Sequence, residues 1–90
     1  MRNTYMNDRQ KMFFDAMIAE KNRAESKHGP EIWARHQFYG ILLEEVDEAW
    51  ADIKANVPQE QLMKELVQIA SVCMRYFDTG DSRQGQLPTC

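Results

Sequence analysis

Ninety residues make room for one domain, and a chain this short buries only about 60% of its unfolded surface, so association with further copies is the cheapest source of extra core. Hydrophobic residues at 43% and charged residues at 28% exclude a disordered chain, and 11 Lys+Arg against 14 Asp+Glu, a net charge of −3, leave no electrostatic footprint for polymeric nucleic acid. Cys73, inside an apolar helical pattern, and Cys90 define neither a disulfide framework nor a zinc site; no apolar stretch reaches a signal-peptide core or the roughly 20 residues of a membrane span. The expectation is a cytoplasmic protein without membrane contact.

The first predicted helix runs from about Asp8 to Ser26, with Phe13, Met17, Glu20 and Ala24 at helical spacing and Phe14 and Ile18 one position around. It ends at His28-Gly29-Pro30, where Gly29 can take a cap conformation and Pro30 suits the first turn of the next helix. The second helix runs from about Pro30 to Ala55. At about 100° per residue, Phe38, Leu42, Val46, Ala49, Trp50 and Ile53 share one broad side, expected to be core, with Leu43 at its border. Glu44, Glu45, Glu48 and Asp52 occupy a flanking sector where a group is half buried and still reaches water.

Asn56-Val57-Pro58 breaks the pattern, and Pro58-Gln59-Glu60 is a proline-first, acid-early helix start. The third helix has a wide apolar face, Leu62, Leu66, Ile69, Ala70, Cys73, Tyr76 and Phe77, extended by Met63, Met74 and Val72, with Glu65 at its edge. Thr79-Gly80 closes it. The chain is therefore expected to be all-α, three main helices in a domain of residues 1–80, followed by a polar, flexible tail over 81–90.

Glu44-Glu45-Val46-Asp47-Glu48 places three glutamates within little more than one turn of one helix. Like charges three and four residues apart repel, so a cation, solvent or a basic neighbour must offset the cost. Magnesium is one natural answer, because it takes oxygen ligands and is held by one or two carboxylates while water and substrate phosphates complete the shell. Taken alone, an acidic helical run is usually a solvated face, and Lys54 or a lysine on another helix can neutralise this one. Glu25-Ser26-Lys27-His28 forms a single Glu-x-x-His, whereas a di-iron bundle needs two copies; His28 reads better as a helix-end residue favoured by the dipole.

The glycine-proline break, the lead-in His36-Gln37-Phe38-Tyr39-Gly40, the Glu44-Glu45-x-x-Glu48 motif, a short turn and Lys64-Glu65-Leu66-Val67-Gln68 together resemble the MazG-like all-α nucleoside triphosphate pyrophosphohydrolases, in their short single-domain form. The likeness covers about Gly29 to Asp78. It implies a helical bundle completed by a homodimer or homotetramer, Mg2+ as cofactor with Mn2+ as a substitute, and hydrolysis of a (deoxy)nucleoside triphosphate to the monophosphate and pyrophosphate. Carried over by position, Glu44, Glu45, Glu48 and Glu65 are the catalytic carboxylates and, with Gln68, the metal-binding set; where the family pattern has aspartate, this chain has Gln68. Lys54 and Lys64 are the expected phosphate-binding residues, ahead of Arg35 and Arg75, and Trp33, Phe38, Tyr39 and Trp50 are candidate platforms for the base. The rival expectation is a non-catalytic helical module that binds a nucleotide or a protein partner, motivated by the charge lost at Gln68.

Overall fold

The structure is a computed structural model that describes residues 6–29 and 34–79. These residues form three α-helices, α1 (Asp8–His28), α2 (Arg35–Ala55) and α3 (Gln59–Thr79), and no strand. The expected tail over 81–90, together with Pro30, Trp33 and Gly80, lies outside the described residues.

The start of α1 is fixed by a capping box that the apolar periodicity does not show. The Asn7 side chain accepts from the Gln10 backbone N–H at 2.8 Å, and the Gln10 side chain accepts from the Asn7 N–H at 2.9 Å. Two of the helix's unpaired donors are thereby satisfied reciprocally. The far end reaches His28, two residues beyond the predicted Ser26, and its N–H cap falls on Gly29, which donates to the Glu25 carbonyl at 2.8 Å. Gly29 has φ +89°, a region where a Cβ costs about 1–2 kcal/mol.

The helix carrying the acidic motif begins at Arg35 rather than at Pro30. Ala34 is extended (φ −130°, ψ 158°) and already presents its carbonyl to the Phe38 N–H, so the helical ladder starts there. At its other end Asn56 adopts the left-handed conformation (φ 55°). Its N–H and that of Val57 return to the carbonyls of Ile53 and Asp52, which closes α2 in a Schellman arrangement. Three residues then turn the chain into α3, making α2 and α3 an antiparallel hairpin.

The third helix is the centre of the molecule: α1 and α2 each pack on α3 and not on one another. Two contacts staple α1 to α3. Lys21 is held between Glu25 at 2.9 Å and Asp78 at 3.3 Å, and the Arg75 guanidinium donates to the Gly29 carbonyl at 3.2 Å. Along the α2–α3 seam, Phe38 stacks on Tyr76 with ring centroids 4.4 Å apart.

This arrangement corrects two expected core faces. On α2, Ala49 is buried and Phe38 and Leu42 are half buried, but Val46, Trp50 and Ile53 are exposed, Trp50 by 54% and Ile53 by 52%. The reason is geometric. The stripe facing α3 is Phe38, Ile41, Glu45, Ala49 and Asp52, so only one edge of the apolar side meets a neighbour. On α3 the most buried positions are Ser71 (3%), Val72 and Arg75 (7%), whereas Leu66, Cys73 and Phe77 are exposed. α3 turns the side bearing Ser71 and Arg75 towards α1, where the Ser71 hydroxyl donates back to the Gln68 carbonyl at 2.9 Å.

Candidate metal centre and adjoining cleft

The antiparallel hairpin sets each residue of α2 opposite a definite residue of α3. Asp52 meets Gln61, with a long contact of 3.5 Å from the amide Nε2 to Oδ1, and Phe38 meets Tyr76. Between these two pairs, at the middle of the seam, α2 presents Glu45 and Glu48 and α3 presents Glu65. Each can offer a carboxylate oxygen such that the three oxygens lie within 4.8 Å of one another. Around an octahedral magnesium with ligands at about 2.1 Å, oxygens sit about 3–4.2 Å apart, so a small inward rotation of these side chains would bring them to ligand positions.

Two features set Glu45 and Glu65 apart from a solvated acidic face, whereas Glu48 is exposed. Oε2 of Glu45 and Oε2 of Glu65 are buried and have no hydrogen-bond partner among the described residues. Buried acceptors left without a donor are rare, because each retains its desolvation cost. The electrostatics point the same way. Burial above all, and then the carboxylates of Glu48, Glu65, Glu20 and Glu44, push the Glu45 carboxyl above the usual range. Burial, the charge of Glu48, a hydrogen bond with it and the charge of Asp52 do the same to Glu65. A site that penalises its own ionisation is one that a cation relieves. Three carboxylates with two orphaned oxygens fit a hard divalent ion.

Beside the trio lies a cavity of about 410 Å³, walled by α1 and α2 and floored by α3. Glu44 and Glu45 stand on its α2 wall, Glu20, Arg23 and His28 on its α1 wall, and Gln68, Ser71 and Arg75 on its floor. The α2 wall is acidic, the α1 wall carries Arg23 paired with Glu20, and the floor carries Arg75. A second cavity of about 390 Å³ between α1 and α3 is lined in part by Glu20, Lys64 and Gln68.

Of the residues singled out from sequence, Glu45, Glu48 and Glu65 are brought together, and Glu44 and Gln68 line the cleft beside them without joining the trio. Lys64 lines the second cavity. Lys54 lies over the Trp50 ring, 5.4 Å from its centroid, and neither residue lines the cleft. Phe38 is committed to its stack with Tyr76. Glu25 of the Glu-x-x-His pair is engaged by Lys21.

Two charged cleft residues escaped the sequence reading. Glu20 was visible only as a polar interruption of the α1 apolar stripe, which was itself a signal. Arg23 gave none. Arg75, ranked behind Lys54 and Lys64 as a phosphate-binding candidate, is buried and lines the floor of the cleft. No protein-family profile matches the chain, and no curated protein or solved structure matches it. No helix among the described residues is long and apolar enough to cross a membrane.

Proposed function

We propose that this protein is a magnesium-dependent nucleoside triphosphate pyrophosphohydrolase of the MazG-like type. The observation that carries the reading is the convergence of Glu45 and Glu48 from one helix with Glu65 from the next, two of them with buried, unpartnered oxygens, at the edge of a cleft large enough for a nucleotide. Glu45, Glu48 and Glu65 would hold Mg2+, or Mn2+ in its place. When bound, the cation supplies neutralisation of phosphate charge and a lowered pKa for the attacking water.

The rest is work for side chains. Arg23, whose guanidinium holds Glu20 through Nε and Nη2, lines the α1 wall of a cleft that a triphosphate would enter, and its remaining N–H groups could meet a phosphate oxygen. Arg75 adds a guanidinium on the floor of the cleft. Glu44, beside the trio but outside it, is the carboxylate best placed to accept a proton from water attacking between the α- and β-phosphates. Gln68 contributes an amide, able to donate as well as accept, where an aspartate would only accept.

The exposed apolar residues support self-association into a homodimer or homotetramer. Val46, Trp50 and Ile53 of α2, with Leu66, Cys73 and Phe77 of α3, fall by helical angle on the side of the hairpin away from α1. A second copy laid on this face would complete a four-helix core. One reading competes. Gln68 lowers the charge of the site, which favours a binding module with weak or no hydrolysis. Pyrophosphate release from a panel of ribo- and deoxynucleoside triphosphates, with Mg2+ or Mn2+, separates the two: metal-dependent release supports the enzyme, and no release from any of them leaves the module.

A further inference from the structure

The hairpin is zipped along its length, but α1 is held less evenly. It packs on α3 alone, and among the described residues none of its Cα atoms comes within 8 Å of one in α2. Helices in direct contact lie about 8–10 Å apart axis to axis, which brings their nearest Cα atoms inside that limit. The cleft of about 410 Å³ fills the gap between α1 and α2, and the second cavity, of about 390 Å³, separates Ala16 and Ala19 of α1 from Lys64 and Val67 of α3. The polar ties of α1 are gathered in its C-terminal half: Lys21 to Asp78 at 3.3 Å, and the Gly29 carbonyl to Arg75 at 3.2 Å. In the N-terminal half Met12, Phe13 and Phe14 are exposed, and Met17 is the one buried side chain. A single methionine is a forgiving anchor, because its unbranched chain repacks readily.

We propose that α1 is the moving wall of the cleft: its N-terminal half swings towards α2 when a magnesium triphosphate enters, turning about the ties at Lys21 and Gly29. The occupant rests on the function proposed above; the freedom of α1 does not. A ligand shifts an equilibrium only through contacts that it makes better in one state than in the other. With the cleft open, a triphosphate at Glu45, Glu48 and Glu65 meets the α2 wall and the floor. Closure adds the α1 wall, from Glu20 to Ala24, and drives water from between the charges. The motion is a shear of one helix over another, of the kind that packed helices undergo without unfolding. Little interlocks to oppose it, since α1 offers methyl groups at Ala16, Ala19 and Ala24 where larger side chains would form ridges.

The test is pulsed electron paramagnetic resonance between spin labels on the full chain with Cys73 and Cys90 replaced by serine. Labels at Arg9→Cys and Asp47→Cys span α1 and α2, and labels at Asp47→Cys and Glu60→Cys report the hairpin alone; all three positions are exposed, and circular dichroism shows each labelled chain folded. Without ligand, the α1–α2 distances are expected to spread more widely than those of the hairpin pair. Mg2+ with an α,β-methylene analogue of a purine or a pyrimidine deoxynucleoside triphosphate, its binding read by calorimetry on the same samples, is expected to shorten their mean by more than about 2 Å and to narrow them, with the hairpin pair unchanged. Asp78→Asn, which releases one tie, is expected to broaden the ligand-free α1–α2 distances further. Binding without a change in these distances, or a ligand-free spread as narrow as that of the hairpin pair, would overturn the inference and leave the proposed function standing. No binding of either analogue would overturn that function and ligand-driven closure with it.

Discussion

The seam and the outer face of the α2–α3 hairpin contrast in chemistry and resemble one another in circumstance. The seam between α2 and α3 buries carboxylate oxygens without donors, and the face away from α1 exposes Trp50, Ile53 and Phe77 to water. Each places groups where a lone chain gains nothing from them. Acidic groups are crowded where burial penalises charge, and large apolar groups are solvated where each would contribute about 1.5–3 kcal/mol if covered. Such local conflicts are the places where function overrides stability. On the function proposed above, the two conflicts have parallel remedies: a cation would relieve the first and a second copy would cover the second.

The largest expected effect falls on the acidic face. Glu45→Gln, Glu48→Gln and Glu65→Gln should each lower metal-dependent pyrophosphate release by at least about 100-fold, whereas Asp47→Asn, on the same helix but outside the trio, should leave it within about 3-fold. Equal losses in all four would dissolve the distinction between a site and a charged surface.

Next in size, Trp50→Asp should weaken self-association by about 30-fold or more, read as a shift towards monomer in analytical ultracentrifugation. The metal-binding trio should be untouched when the variant is assayed at high protein concentration. A wild type that is strictly monomeric at micromolar concentration would remove the apolar half of the comparison.

The smallest effect is on stability. Glu45 and Glu65 have carboxyl groups pushed above their ordinary range, so the folded chain holds protons that the unfolded chain has released. Their favourable contribution is fully present below the unfolded-state pKa and is lost as pH rises through the raised folded-state values. The metal-free protein should therefore melt at lower temperature as the pH rises above the ordinary carboxylate range. Glu45→Gln should flatten that slope and stabilise the metal-free chain by about 1 kcal/mol, equivalent to about 4–8 °C at this size. Saturating Mg2+ should flatten it in the wild type, and should bind more weakly as protons compete at low pH.

Much of this was legible in the sequence because local chemistry decided it. The three helices follow from periodicity broken at Gly29 and at Asn56-Val57-Pro58, both of which hold left-of-ordinary backbone or a turn for reasons those residues carry themselves. The juxtaposition of Glu45 and Glu48 with Glu65 follows from two long helices joined by three residues, since a turn that short leaves only an antiparallel seam.

What escaped depended on where α1 lies, and nothing local encodes that. Arg75 and Ser71 look like surface residues until α1 covers them, and Trp50 looks like core because its apolar stripe is wider than the one neighbour it meets. Glu20 could have been noticed as a charge in an apolar stripe, but its place in the cleft exists only once α1 has docked on α3. The extended Ala34 that delays α2 to Arg35 has no signature in the apolar period, because alanine is itself a good helix former and its conformation is not encoded by spacing.

The central claim is that the hairpin holds a divalent cation between Glu45, Glu48 and Glu65. Calorimetric titration of Mg2+ into the full-length chain, with and without a non-hydrolysable nucleoside triphosphate, tests it most directly. Saturable binding that is lost in both Glu45→Gln and Glu65→Gln and raises the melting temperature of the wild type is the predicted result. No saturable heat under either condition, or binding unchanged in both variants, would contradict it.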